Sequence, residues 1–409
     1  MGMESSESLI KYESALQKLA NLIAKYQNLI DVCMVDFVTK NVFENAVPLE
    51  LRESLQKLTE SEISLLTNTF FNNDTDDSLK NSPLTVLLNE LRQHTLESLD
   101  IVEDKDNINK NLASFQIGQS IPCLSHFDKF MPDKKMHEVG VMNEIICQLC
   151  KKCNVDTLID LGSGKAYLSQ VLSASSQHLH ILAIDSSNEN SAGAKKRSDR
   201  LNSKWDALKK RADYRATGQE PPVRSKHSRS KKKDAITDTP EKQSKFDDNL
   251  RYITKFVDMN TDLRLLLNES FDNDTKDSPF NVERLGLIGL HTCGDLAPNS
   301  MRLWLGNESM KFLCNVGCCY HHLNEEFYRS PYLHEDQEDS SVPSFPLSSK
   351  LKSLQYKLGR NARMIAAQPM DRLRTNKELP RESLLWRAIL QHILLIHVPD
   401  LNFEDHQVF

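Results

Sequence analysis

The sequence predicts an α/β protein: a parallel sheet covered by helices on both faces, preceded by an α-helical region. Short apolar runs alternate with longer helix-patterned segments from residue 136 onward. The first run, "TLIDLGSGKAYLSQVL" (157–172), passes from strand to glycine turn to amphipathic helix. Apolar residues make up 39% of the 409, enough to fill such a core. Apolar runs without strict alternation mark strands buried on both faces.

Taken in order, residues 8–115 read mostly as helix, within an α-helical N-terminal region spanning 1–118. Leu9, Leu16, Leu19, Leu22 and Ile23 recur at helical spacing. Pro48 and Pro83 stand near helix starts, where a missing N–H costs nothing. Acidic "NNDTDDS" between them reads as a loop. An α/β domain follows over 119–400. A helix over 136–154 leads into the strand at 157, and a second strand is "HILAID" (180–185). A helix over 191–213 comes next. Residues 215–248 then hold Pro, Ser, Lys and Arg without apolar periodicity, which predicts a disordered basic insertion. Its "SKHSRSKKK" (225–233) is a candidate nuclear-localisation or RNA-binding arm. Strands resume at "YITKFV" (252–257), "LGLIGL" (285–290) and "KFLCNVG" (311–317), with a helix over 296–305 and acidic surface loops at 268–278 and 334–341.

The net charge is −6, so the chain as a whole is no basic nucleic-acid coat, and contact with RNA requires a local patch. No stretch reaches the ~18 consecutive apolar residues of a membrane span, so no membrane partner is expected. The N-terminus lacks a secretory signal pattern. Nine cysteines, odd in number and unevenly spread, do not resemble a disulfide frame; a reducing compartment, cytoplasm or nucleus, is expected.

Four strand ends carry the chemistry. The first gives Asp160, then Gly162, Ser163 and Gly164; the second gives Asp185; the third Asp258; the fourth "HTCGDL" (291–296). The glycines let backbone approach a ligand, and Asp185 suits the ribose hydroxyls. Both features fit NAD and S-adenosylmethionine equally. Asp160 separates them. A carboxylate before the first glycine favours the cationic amine and sulfonium of S-adenosylmethionine and repels a pyrophosphate. A dinucleotide loop also wants a third glycine where Tyr167 stands. Asp258 is then suited to accept from the adenine amine.

These residues, with "MPDKKMHEV" (131–139), "GLHTCGDLAPNSMR" (289–302), "VGCCYHHL" (316–323), "ARMIAAQ" and "ESLLWRAILQ" (both within 362–391), resemble the methyltransferase-like protein 25 family, which includes proteins named as ribosomal RNA adenine dimethylase domain-containing. The resemblance covers roughly residues 120–400. It implies a Rossmann-like, seven-stranded S-adenosylmethionine-dependent methyltransferase sheet. Adenine dimethylation is a poorer fit: "HTCGDL" lacks the proline and aromatic residue that grip a flipped adenine.

His291 is the candidate base, since its reference pKa is near the operating pH. Asp295 either orients it, binds substrate or caps the helix at 296. Lys134 and Lys135 are candidates for substrate phosphate, and His321 for substrate contact. Cys318, Cys319, His321 and His322, with His291 and Cys293, have no zinc-finger spacing, and no metal is expected there. Cys147, Cys150 and Cys153 spread around a helix and cannot converge on a cluster. Three readings remain: a methyltransferase acting on RNA, one acting on protein or a small molecule, and a non-catalytic scaffold. Binding of S-adenosylmethionine separates the last from the other two.

Overall fold

The computed structural model describes residues 2–59, 61–62, 82–113, 127, 130–176, 178–216, 249–271, 282–328, 342–367 and 382–398. The chain divides into two units, Met1–Asp104 with Cys319–Phe409, and Lys105–Cys318. Residues 217–248 of the expected insertion, the acidic segments 72–78 and 334–341, and the 118/119 boundary lie outside the described residues.

In the first unit, α1 (Gly2–Lys25), α2 (Leu49–Gln56) and α3 (Pro83–Gln93) follow the apolar periodicity. Pro48 sits at the N-cap of α2 and Pro83 opens α3, whose cap is Ser82: its Oγ accepts from Thr85 N at 3.2 Å. That bond satisfies a donor the first helical turn leaves open.

The second unit opens with α4 (Lys105–Ala113) and α5 (Asp133–Cys153). Helix α5 starts three residues earlier than its periodicity predicts. Pro132 and Asp133 explain this: proline at the cap and an acid in the first turn both favour a helix start. Left-handed Asn154 (φ 50°) stops it, and Val155 N donates to Cys150 O at 2.8 Å. Then come β1 (Thr157–Leu161), α6 (Tyr167–Ser175), β2 (His180–Asp185), α7 (Asn188–Ala216), β3 (Leu250–Thr254), α8 (Leu263–Ser270), β4 (Leu285–Cys293), α9 (Leu296–Leu305) and β5 (Met310–Cys318). The five strands run parallel in the order β3-β2-β1-β4-β5. Among the described residues the sheet has these five strands, where the family resemblance implies seven.

Alternation along the buried strands fills two cores. Leu158, Ile181, Ala183 and Ile288 pack with Val139 and Ile146 of α5, Val171 and Leu172 of α6, and Leu201 of α7. Ile159, Leu161, Leu182 and Ile184 pack on the opposite face with Leu263 and Leu267 of α8 and Leu296 and Trp304 of α9. Each fully buried Leu or Ile contributes roughly 1.5–3 kcal/mol. Cys150 is part of the first core, where burial pushes its thiol pKa up and keeps it neutral.

The first unit resumes with a 3-10 turn at Tyr320–His322, α10 (Arg360–Ala366) and α11 (Ser383–His397). Buried Arg363 donates from Nη1 to the carbonyls of Tyr320 and Leu323, each at 2.7 Å, and pairs with wholly buried Glu325. The "VGCCYHHL" and "ARMIAAQ" stretches therefore meet through one guanidinium. Among the described residues no helix is long and apolar enough to cross a membrane.

Candidate active site

The order β3-β2-β1-β4-β5 reverses direction between β1 and β4, and loops at such a switch point splay apart to leave a crevice. A cavity of about 620 Å³ opens there. The loop after β1, the end of β2, the segment after β3 and the end of β4 all line it.

The β1–α6 loop is built from left-handed residues: Gly162 (φ 67°), Gly164 (φ 56°) and Ala166 (φ 54°). At Gly162 a Cβ would come within 2.9 Å of Leu296 Cδ2, so both backbone conformation and space require glycine. Ser163 N donates to Ile184 O at 3.0 Å, and Gly164 N to Asp185 Oδ2 at 2.8 Å, which ties the loop to the end of β2. Asp185 Oδ1 also accepts from Ser187 N at 2.9 Å and Asn190 Nδ2 at 3.0 Å. Three of the carboxylate's roughly four acceptor sites are thus used by protein, and one on Oδ2 is open to a ligand.

Asp160, the next-to-last residue of β1, lines the cavity yet is 1% exposed. Ser169 donates to its Oδ2, and its Oδ1 has no partner. Burial pushes its pKa up to about 7; the Ser169 hydrogen bond opposes this and the charge of Asp185 adds to it. An unpartnered, buried, incipient anion beside a cavity is a site that a cation completes.

His291 owes its position to a β-bulge. The β4–β5 register slips between Leu290 and Thr292, and His291 takes a left-handed conformation (φ 71°). Such strain costs of order 1 kcal/mol for a non-glycine residue, and a bulge re-aims its side chain. Its Nε2 lies 2.9 Å from Glu138 Oε2 and 2.7 Å from Lys135 Nζ, while Lys135 Nζ is 2.6 Å from the same Glu138 oxygen. One ring nitrogen cannot both accept from Lys135 and donate to Glu138. In the tautomer whose Nε2–H donates to Glu138, with Lys135 also bonded to Glu138, Nδ1 is the proton acceptor. Burial alone would raise the Glu138 pKa, but hydrogen bonds from Lys135 and His291 outweigh it and hold the carboxyl down at about 2.

The cavity thus brings together Asp160, Gly162, Ser163, Gly164, Asp185, Lys135, His291 and Asp295. Asp295 holds the N-cap position of α9 but makes no side-chain cap bond to that helix. Three expected residues are elsewhere. Asp258 does not line the cavity: its Oδ1 accepts from Asn260 N at 3.0 Å and Thr261 Oγ1 at 2.9 Å, and Lys255, Phe256 and Val257 line the wall instead. Lys134 is exposed, 3.7 Å from Glu138 Oε1. His321 belongs to the other unit; burial lowers its pKa, helped by His322 beside it. Sequence reasoning missed Glu138, Asn190 and Phe256. For Glu138 the only signal is its spacing from Lys134 and Lys135, which reads as an ordinary helix-surface pair. The Cys293 and Cys318 sulfurs lie 3.1 Å apart on paired strands.

A protein-family model described as a methyltransferase domain matches residues 134–326. The chain is similar to methyltransferases. It is 30% identical over 351 residues to a probable methyltransferase-like protein 25 of Mus musculus, covering 68% of this chain and 58% of that one. With the corresponding Homo sapiens protein it shares 29% over 341 residues, 65% of this chain and 56% of that one. The chain spans less than two thirds of these curated relatives. No solved structure matches. The methyltransferase match starts at Lys134, on the first turn of α5, and takes in every element that lines the cavity. The resemblance read from the sequence holds, and it supports a methyltransferase.

Proposed function

We propose that the chain is an S-adenosylmethionine-dependent methyltransferase whose acceptor is RNA. One observation carries the cofactor reading: Asp160 Oδ1, buried at the cavity wall without a partner. The cofactor's ammonium group supplies the missing charge, whereas a pyrophosphate adds a second anion. The residues present fit it. Gly162 and Gly164 admit close backbone approach, Asp185 Oδ2 offers one acceptor site to a ribose hydroxyl, and exposed Phe256 offers an apolar wall to a base. The strand order β3-β2-β1-β4-β5 is that of a doubly wound nucleotide-binding sheet, with the cavity at its switch point, which supports a nucleoside-containing cofactor.

When bound, the cofactor supplies an electrophilic methyl group on a sulfonium. The chain's residues align the acceptor and manage its proton. His291 Nδ1, with Nε2–H held by Glu138, is the group that would take the acceptor's proton. Lys135, Lys165 and Lys255 around the cavity favour an anionic acceptor, which supports RNA over a neutral small molecule. Cytoplasm or nucleus is the compartment proposed. The test is transfer of labelled methyl to total RNA and to total protein from cells lacking the chain. Label in RNA supports the reading; label confined to protein overturns the acceptor, and label in neither overturns the activity.

A further inference from the structure

A second concavity, of about 510 Å³, lies in the same unit beside α7. Its walls carry Lys196, Arg197, Arg200 and Lys204, with Phe130 and Leu208 beneath. Lys196, Arg200 and Lys204 follow one another at four-residue steps, so they stand on one face of the helix, roughly 6 Å apart along its axis. All three are exposed, and none has an ion-pair partner among the described residues. In a chain of net charge −6, three cations in one hollow with no ion-pair partner among the described residues mark a binding surface for an anion. A solvated helix face would show cations interleaved with paired acids.

Arg197 joins this hollow to the candidate active site. Its guanidinium lies over the Tyr167 ring, 4.1 Å from the centroid, and its Nη1 donates to Phe130 O at 3.3 Å. Tyr167 also lines the cavity that holds Asp160 and His291. Arg197, on the wall of the hollow, therefore packs directly on a ring that lines the cavity, so the two openings are neighbours.

We infer that the α7 hollow binds the phosphodiester backbone of a single-stranded RNA whose acceptor nucleotide enters the adjoining cavity. This rests on the RNA methyltransferase reading above. Cations repeating along a helix axis match phosphates repeating along a strand, and partly buried Phe130 supplies a stacking face that a base uses and a carboxylate does not. The contacts are to phosphate, so they position the strand without reading sequence.

The experiment is fluorescence anisotropy of the full chain with a labelled mixed-sequence single-stranded RNA over a salt series. The comparison is the Lys196→Gln/Arg200→Gln/Lys204→Gln variant, with Arg200→Lys as the conservative control. The inference expects the triple variant to bind RNA at least ~10-fold more weakly. The slope of log K against log salt should be smaller by about 2, the loss expected for three single-strand phosphate contacts. Melting temperature and S-adenosylhomocysteine affinity stay as in the parent, and Arg200→Lys binds nearly normally. Unchanged RNA affinity and slope in the triple variant overturn it, as does a parent chain that does not bind RNA. Displacement of the RNA by polyglutamate at equal charge assigns the hollow to acidic protein and also overturns it. Phosphatidylserine vesicles binding in preference to RNA do the same for a lipid surface. A chain that retains RNA through this hollow but binds no S-adenosylhomocysteine would sink the methyltransferase reading and leave the backbone site standing.

Discussion

Glu138 Oε2 lies 2.9 Å from His291 Nε2, joining the second turn of α5 to the bulge at the end of β4. The contact gives the imidazole a fixed tautomer, and it comes from a residue 153 positions away in the chain. Its consequence is testable in turnover. Glu138→Gln keeps the shape but removes the anion that orients the imidazole. Turnover should fall by roughly 10–100-fold, below the full general-base contribution of ~10²–10⁴. S-adenosylhomocysteine affinity should not change. Unaltered turnover would reduce the contact to a packing detail.

His291→Ala removes the proposed base itself. Turnover per folded molecule should fall by ~10²–10⁴ while cofactor affinity persists. The His291 side chain is partly exposed and alanine keeps the same left-handed backbone strain, so the variant should not melt much lower than the parent. Normal turnover in a stably folded variant would take His291 out of the mechanism.

Asp185→Ala should weaken S-adenosylhomocysteine binding by about 1–3 kcal/mol, the range for hydrogen bonds to a charged group. The loss has two sources. One is the open Oδ2 site, and the other is the order that Asp185 imposes on Gly164 N and Ser187 N. Calorimetry should show both as a smaller favourable enthalpy.

Gly162→Arg should abolish cofactor binding, since even a Cβ there meets Leu296 Cδ2 at 2.9 Å. Gly164→Ala is the informative contrast. A Cβ there has nothing within 4 Å, so its stability cost is only the left-handed backbone, about 1–2 kcal/mol. Chemical denaturation separates the two.

How legible this site was depended on how local each feature is. Strand β2 and helix α9 have the bounds their apolar patterns predict, because a strand buried on both faces leaves a nearly unbroken apolar run. Strand β4 runs on through His291 and Thr292 to Cys293, polar residues that read as a loop. The bulge beneath them exists only in pairing with β5, so no window around residue 291 contains it. Asp258 reads as a third strand-end acid by analogy with Asp160 and Asp185. Its neighbours carry the opposing signal: an acid three residues before a threonine closes its own turn. Nothing local in 319–409 signals its grouping with the N-terminal helices, since that rests on contacts such as Gln391 Nε2 to Asp36 Oδ1 at 2.7 Å.

The central claim is that Asp160 receives a cation. Its raised pKa makes the claim measurable. In the ligand-free fold Asp160 keeps its proton to about pH 7, against about 3.9 unfolded, so its contribution to stability is present below pH ~4 and is lost as pH rises through 7. A cationic ligand binds the ionised form, so affinity changes the other way, weakening as pH falls below 7. The decisive measurement is a calorimetric titration of the purified chain with S-adenosylhomocysteine from pH 6 to 8, in buffers of different ionisation enthalpy. The account predicts saturable one-site binding, tighter at pH 8 than at pH 6, with proton release near pH 6, and both the pH dependence and the release absent in Asp160→Asn. Binding of NAD without binding of S-adenosylhomocysteine, or affinity flat across that range in the parent chain, would contradict it.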